Sequence, residues 1–238
     1  MLGGVLNPLL TRASLVAAQT DKDKERFMSL GCPEKTVTVS GSTKYDNLGS
    51  GPANNDRAAR EFGFSSSDLV FVAGSVRPGE DQQVVHAYKK AKEKCQNLKI
   101  VVAPRHPEEF DRVAEFLGKE EVSYRKRSDK EAGTNSDALL LDSMGELSTA
   151  YSAGDLSFVG ATLVDIGGHN PMEPAALGLP VLVGPYHSNV SEEVQLLEKA
   201  GGLFIVKDSE ELAKKLVCLL YTSPSPRDAT LSRMPSSA

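Results

Sequence analysis

The sequence has 238 residues and a formal net charge of −5, with 27 Lys and Arg against 32 Asp and Glu. This mildly acidic balance argues against broad nucleic-acid binding, which needs a basic face to neutralise phosphates. The composition, 40% apolar and 25% charged, is that of a globular chain that can bury a sizeable core. There is no apolar run of about 18 residues, so no segment is predicted to span a membrane. The three cysteines lie far apart, which excludes a disulfide framework and a cysteine zinc site.

Short apolar strands alternate with amphipathic helical segments along most of the chain. Strands are predicted over residues 15–18, 36–40, 69–73, 99–102, 122–125, 139–141, 156–159, 181–183 and 203–206. Helices are predicted over residues 21–30, 82–94, 107–117, 145–153, 174–177, 191–200 and 210–217. Apolar strands separated by helices are typical of a parallel sheet covered on both faces. Such sheets bind ligands at the carboxyl ends of their strands, so the loops that follow the strands are the candidate site.

One stretch interrupts this alternation. The sequence GSTKYDNLGSGPANND is rich in Gly, Pro and Asn, which is typical of a linker between domains. It predicts an N-terminal part over residues 1–46, a linker over 47–67 and a second domain over 68–217.

The two ends are predicted to differ from the rest. The first residues lack the features of a signal peptide and indicate a chain cut into from upstream. The last residues, CLLYTSPSPRDATLSRMPSSA, are rich in Pro and Ser and are similar to a translated sequencing adapter. Residues 218–238 are therefore predicted to be an adapter-derived, disordered tail, with a natural disordered tail as the alternative.

The loop with the strongest signal is GGHNPMEP. Gly160, Gly167 and Gly168 would let the backbone approach a ligand closely, because they carry no Cβ. A helix is predicted to begin beside the prolines, and its exposed N–H groups would attract phosphate. Glu173, near that helix start, could accept hydrogen bonds from ribose hydroxyls, or could be a plain acidic cap.

The loop APRHPEEF follows the strand at residues 99–102. The planar guanidinium of Arg105 suits a phosphate or a base carbonyl, to which it can bond through two N–H groups. A surface ion pair with Glu108 or Glu109 is an equal alternative. His106 is as well explained by helix capping as by ligand binding.

The remaining loops carry weaker signals. In DSMGEL, Ser143 and Glu146 have the spacing of a capping box, but the N–H groups of residues 144–146 could also face a ligand. AGSVRPGED places small residues and Glu80 at a strand-to-helix turn. The basic cluster YRKRS, residues 124–128, is better explained as a solvated strand end.

Taken together, these loops resemble a known enzyme family. PRHPE, LLLDSMGEL, FVGATLV and GGHNPMEPAALGLPVLVGP, in this order and spacing, resemble the 3-deoxy-D-manno-octulosonic acid (Kdo) transferases of lipopolysaccharide synthesis. Upstream, AQTDKDKERFMSLGCPEKTVTVSGSTKYD resembles the end of the family's N-terminal, acceptor domain. The resemblance implies an α/β fold of the GT-B type, in which two Rossmann-like domains face each other across a cleft. Residues 68–217 would be the nucleotide-sugar-binding domain.

The resemblance also implies a reaction: inverting transfer of Kdo from CMP-Kdo to a lipid A precursor, with no metal ion or other cofactor. The enzyme would work at the cytoplasmic face of the bacterial inner membrane, meeting it through a missing N-terminal part, with no nucleic acid as partner. Lys44 matches a lysine thought to stabilise the transition state, and Ser75, Gly168 and His169 form a possible donor loop. The residues that match the CMP-binding motifs are Pro104, Arg105, Met144, Gly145, Glu146, Asn170, Pro171, Met172 and Glu173.

The sequence also departs from the family's pattern. The turn reads GSTKYD rather than a GN-type sequence, and Arg77 stands where many relatives have His. The family's catalytic base, a glutamate, would lie upstream of residue 1, so this chain alone is predicted to be inactive. Two alternatives stay open: a GT-B transferase that uses a UDP-sugar, and a non-catalytic nucleotide-binding module.

Overall fold

The computed structural model describes residues 12–41, 55–129 and 136–222. The chain divides into two compact units, Met1–Leu48 and Gly49–Ala238. The predicted linker over 47–67 is therefore wrong over much of its length. Helix α2 (Asn55–Glu61) belongs to the second unit, where Ala58, Ala59, Phe62 and Phe64 are buried in the core. Ala58 and Ala59 are the only apolar residues of this helix, so the sequence shows no clear apolar stripe there.

The described part of the first unit is a small parallel pair of strands with one helix. Strand β1 (Val16–Ala18) pairs with β2 (Val37–Val39), and α1 (Asp21–Ser29) connects them. The Thr20 hydroxyl accepts a hydrogen bond from the Asp23 N–H at 3.1 Å and so caps α1, as the sequence predicts. Three buried residues, Ala18, Cys32 and Val37, form a core under this helix.

The second unit is built on a seven-stranded sheet in the order β5-β6-β4-β3-β7-β8-β9, with every neighbouring pair parallel. Its strands are β3 (Leu69–Val76), β4 (Leu98–Pro104), β5 (Tyr124–Lys126), β6 (Ala138–Leu140), β7 (Leu156–Val159), β8 (Val181–Val183) and β9 (Leu203–Ile205). The predicted α/β class and parallel sheet are confirmed. The chain winds outward from β3 in both directions, which places a topological switch point at the centre of the sheet.

Helices cover the two faces of this sheet. They are α3 (Glu80–Lys94), α4 (Phe110–Lys119), α5 (Leu147–Ser152), α6 (Met172–Ala176), α7 (Ser191–Lys199) and α8 (Ser209–Thr222). One face packs mainly against α3, α4 and α8, and the other against α2 and α5. The central strands are buried on both sides, which explains why they appear in the sequence as continuous apolar runs.

Helix α8 continues beyond its predicted end at residue 217. Leu212, Leu216 and Leu219 are buried on one face of it, and the Tyr221 hydroxyl donates to the Lys94 carbonyl at 2.9 Å. The prediction of disorder is therefore wrong for residues 218–222, because Leu219 extends the apolar stripe of the helix by a further turn. Residues 223–238 lie outside the described part. No helix in the described ranges is long and apolar enough to cross a membrane.

Candidate functional site

A cavity of about 320 Å³ lies where β3, β4, β6 and β7 end. Its walls come from the loops that follow these four strands, among them the β6 loop (residues 141–146) and the β7 loop (residues 160–171). This is the switch point of the sheet, where diverging loops leave a crevice. The lining residues are Ser75, Ala103, Pro104, Arg105, Leu141, Ser143, Met144, Gly145, Leu147, Tyr151, Val159, His169, Asn170 and Glu173.

Most of the predicted site residues come together at this cavity. Eight of them line it: Ser75, Pro104, Arg105, Met144, Gly145, His169, Asn170 and Glu173. Four others are not among the lining residues: Glu146, Gly168 and Pro171 are in the same loops, and Met172 is the first residue of α6. Lys44 lies outside the described residues. Tyr151 was missed, because a lone aromatic residue in a helix is normally a core residue.

Glu173 lies in the first turn of α6. The Asn170 side-chain oxygen accepts a hydrogen bond from the Met172 N–H at 3.0 Å and so closes the turn before the helix. Glu173 is half-buried at the cavity wall, and this burial raises the pKa of its carboxyl, an effect that Arg105 opposes. A carboxylate in this position has acceptor oxygens available to a ligand in the cavity.

Arg105 is exposed and lines the cavity from the end of β4. The alternative ion pair of Arg105 with Glu108 or Glu109 is not found among the ion pairs of the described residues. Glu109 instead approaches Arg77, with 4.0 Å between Oε1 and Nη1. The guanidinium of Arg105 therefore gives the cavity a cationic wall.

His169 is the second basic group of the cavity. Its backbone N–H donates to the Gly160 carbonyl at 3.2 Å, and its Nε2 is buried with no hydrogen-bond partner among the described residues. Burial, followed by the positive charges of Arg105 and Arg77, lowers the pKa of His169 to about 4. The imidazole is therefore neutral near pH 7, with a ring nitrogen left to bond a ligand.

Glu80, which the sequence marked only as an acid at a turn, holds the β7 loop in place. Its fully buried carboxylate accepts hydrogen bonds from three consecutive N–H groups, those of Ala161, Thr162 and Leu163, at 2.6–2.7 Å. It also accepts one from the Arg77 N–H at 3.0 Å. Burial raises the pKa of Glu80, and these hydrogen bonds oppose that rise.

The three glycines of the β7 loop approach the protein's own atoms rather than leave space for a ligand. A Cβ on Gly160 would collide with the Ser75 carbonyl, and one on Gly167 would collide with the Asn189 side chain. A Cβ on Gly168 would crowd the neighbouring loops as well. The predicted reason for these glycines, close approach of a ligand, is thus replaced by tight packing between loops.

The β6 loop is held differently. Ser143 and Glu146 do not form the predicted capping box. Glu146 is itself the N-cap of α5, and the Ser143 hydroxyl donates to its carboxylate. The same carboxylate accepts hydrogen bonds from Arg127, at 2.8 Å from Nη2 and 3.1 Å from Nε. Arg127 belongs to the basic cluster that was predicted to be solvated, and that prediction is wrong for this residue.

These features define a class: a doubly wound α/β unit with a ligand cavity at its switch point. The chain belongs to the family of glycosyl transferases group 1, which it matches over residues 60–230. Residues 1–47 match the family described as 3-deoxy-D-manno-octulosonic-acid transferase (kdotransferase). The GT-B fold class and the resemblance to Kdo transferases are thereby confirmed.

Individual relatives agree with these matches. The 3-deoxy-D-manno-octulosonic acid transferase of Haemophilus influenzae is 32% identical over 229 residues, which are 94% of this chain and 52% of that protein. The crystal structure of the C-terminal CMP-Kdo binding domain of WaaA from Acinetobacter baumannii is 26% identical, with a TM-score of 0.65. It covers 75% of this chain and 92% of that one. Anabaena HepE in complex with UDP and glucose, at 15% identity and a TM-score of 0.54, covers 98% of this chain and 62% of that one and shows the fold alone.

The chain spans about half the length of the curated Kdo transferases it matches.

Proposed function

We propose that this chain is the donor-binding part of a Kdo transferase and that its cavity holds the CMP group of CMP-Kdo. One observation carries the proposal. Residues that the resemblance assigns to CMP, contributed by three separate loops, line a single cavity at the switch point of the sheet. Arg105, Gly145 and Glu173, which are widely separated in the sequence, all line it.

In this proposal each wall of the cavity takes one part of the donor. The carboxylate of Glu173 accepts hydrogen bonds from the ribose hydroxyls, and the guanidinium of Arg105 binds the phosphate or the base carbonyl. Ser75 and His169 face the sugar. The chain as a whole is acidic, so the attraction for an anionic nucleotide is local and comes mainly from the guanidinium of Arg105.

The proposed reaction transfers Kdo with inversion. An acceptor hydroxyl oxygen forms a bond to the anomeric carbon of Kdo, while the bond from that carbon to the CMP phosphate oxygen breaks. CMP leaves with the electron pair, and the hydroxyl proton goes to a base. Positive charge near the departing phosphate stabilises this step, which is the role proposed for Lys44 and the cationic wall.

Titration calorimetry of the full 238-residue chain with CMP tests the donor site. We expect CMP to bind more tightly than UMP or UDP. Glu173→Gln should weaken CMP binding about tenfold, the loss of a charge-assisted hydrogen bond. Glu108→Gln, which removes the same charge from an exposed position near Arg105, is the matched control and should change little.

Either of two results would overturn the donor assignment. One is a folded chain that does not bind CMP, and the other is a Glu173→Gln variant that binds CMP as the parent does. Tighter binding of UDP than of CMP would favour the alternative, a transferase that uses a UDP-sugar.

We further propose that the acceptor is a lipid A precursor, met at the cytoplasmic face of the inner membrane, and that this chain alone does not transfer Kdo. The support is the family resemblance, together with the share of the Kdo transferases that the chain spans. Transfer of Kdo to a lipid A precursor by the isolated chain would show that the proposed inactivity of this chain alone is wrong.

A further inference from the structure

We propose that Arg127 is a positioning residue for nucleotide binding, which holds the β6 loop against the cavity through Glu146. The inference rests on the proposed function, because the loop matters for binding only if the cavity takes the nucleotide. Arg127 itself is not among the residues that line the cavity, and neither is Glu146.

The contact between the two side chains is a paired one. The Arg127 Nη2 and Nε atoms lie 2.8 Å and 3.1 Å from Glu146 Oε1, and Nε lies 3.3 Å from Oε2. The hydrogen bond from Arg127, together with that from Ser143, lowers the pKa of Glu146. The Glu146 carboxylate is therefore occupied by protein donors, and its role in the loop is structural contact rather than contact with the ligand.

Arg127 is itself fixed from the other side. Its guanidinium carbon lies 4.7 Å from the centre of the Phe62 ring, which is fully buried. Its Nη1 and Nη2 atoms donate to the Glu61 carbonyl and carboxylate at 3.2 Å and 3.3 Å. Arg127 thus connects helix α2 to the β6 loop, and its planar group suits stacking and paired bonding together, which a lysine cannot reproduce.

The other end of the β6 loop is held by the next residue along. The Ser128 N–H donates to Asp142 at 2.8 Å, and its hydroxyl donates to the same carboxylate at 2.5 Å. Between these two anchors Met144 and Gly145 line the cavity, and Met144 is 61% exposed. Gly145 has a φ of +83° and no neighbouring atom that would crowd a Cβ, so packing does not hold it. The tethers at 142 and 146 therefore decide where this backbone lies.

Arg127 could instead act only as a positive charge that attracts the phosphate. The two roles predict opposite results for its partner. If Arg127 acts by its charge, Glu146→Gln removes a nearby negative charge and strengthens CMP binding. If Arg127 acts by positioning, Glu146→Gln loosens the loop and weakens CMP binding.

The experiment measures CMP binding by calorimetry for the full chain and for Arg127→Lys, Arg127→Gln, Glu146→Gln and the double Arg127→Gln/Glu146→Gln variant. We expect each single variant to weaken binding by about three- to tenfold, and the double variant to be no weaker than Arg127→Gln, since the two residues act as one unit. Lys126→Gln is the matched control. It removes the same charge from the neighbouring residue, the last of β5, where Lys126 pairs with Asp111 at the surface, and it should bind CMP as the parent does.

Amide hydrogen exchange in the absence of nucleotide supplies a second readout. We expect the amides of the β6 loop to exchange faster in the Arg127 variants, while those of the central strands stay protected. Unchanged CMP binding by Arg127→Lys, stronger binding by Glu146→Gln, or unchanged exchange in the β6 loop would each overturn the positioning role. If the β6 loop exchanges faster in the Arg127 variants but the parent chain binds no CMP, Arg127 still holds the loop and the proposed function is wrong.

Discussion

The β6 loop and the β7 loop both line the cavity, but they are held by different means. The β7 loop is bound through its backbone to the fully buried carboxylate of Glu80, which belongs to α3. The β6 loop is bound through side chains, by a pair between Arg127 and Glu146 whose side chains are 23% and 31% exposed. The first arrangement is part of the core, and the second lies at its margin.

This difference means that one loop affects the stability of the whole unit, whereas the other affects only the local order of the site. A buried carboxylate with four N–H donors cannot be removed without leaving those donors unbonded, so the β7 loop is tied to folding. A partly exposed ion pair contributes little to global stability, since water competes for both groups. Substitutions at Glu80 are therefore expected to lower the stability of the whole unit, and substitutions at Arg127 to change the site alone.

The largest expected effect is that of Glu80→Ala. It should lower the free energy of unfolding by about 3–5 kcal/mol, because four backbone N–H groups lose their acceptor in the core. Urea denaturation followed by circular dichroism measures it. Glu210→Ala, which removes an exposed partner of Lys90, should cost less than about 1 kcal/mol. Equal losses of unfolding free energy in the two variants would show that the buried Glu80 contributes no more to stability than an exposed ion pair.

Glycine substitutions test the same distinction by packing. Gly160→Ala should lower the free energy of unfolding by about 3 kcal/mol, because its Cβ would meet the Ser75 carbonyl, which cannot turn away. Gly145→Ala should cost only about 1 kcal/mol, for its left-handed φ. Thermal or urea unfolding of both variants gives the comparison, and a larger loss at Gly145 would contradict it.

The smallest expected effect is on pH dependence. Burial raises the pKa of Glu80, so the folded state holds its proton more strongly than the unfolded state does. Its contribution to stability is full below the ordinary pKa and falls as pH rises through the folded value. Arg127 lowers the pKa of Glu146. The contribution of Glu146 to stability is therefore present above its ordinary pKa and is lost as the pH falls through the folded value.

Stability measured against pH for the parent, Glu80→Gln and Glu146→Gln separates these signs. As the pH rises from about 4, the free energy of unfolding of the parent minus that of Glu80→Gln should decrease. The free energy of unfolding of the parent minus that of Glu146→Gln should increase with pH over the acid range. Each slope is bounded by about 1.4 kcal/mol per pH unit, the value for one proton. Two differences of the same sign would show that the two carboxylates occupy similar environments.

Local pattern was enough to predict much of the fold. The strands Leu156–Val159 and Val181–Val183 have the predicted bounds, since each is a short, mostly apolar run that a polar residue or proline precedes and a glycine follows. The first part of α3 was missed, because its N-terminal turn carries the buried acids Glu80 and Asp81, which in a sequence are typical of a solvated turn. Helix α2 was missed because Ala58 and Ala59 are its only apolar residues, and the buried aromatic residues beside it, Phe62 and Phe64, follow its end.

By itself, the sequence determined the alternation of strands and helices, the parallel sheet, and the loops in which a ligand would bind. These follow from apolar periodicity and from turn residues, which act within a few positions of one another. Only the tertiary structure decided which groups hold those loops. Glu80 meets N–H groups 81 to 83 residues away, and Arg127 meets a carboxylate 19 residues away. Such partners depend on strand order and on the crossing of loops at the switch point, so no local pattern encodes them.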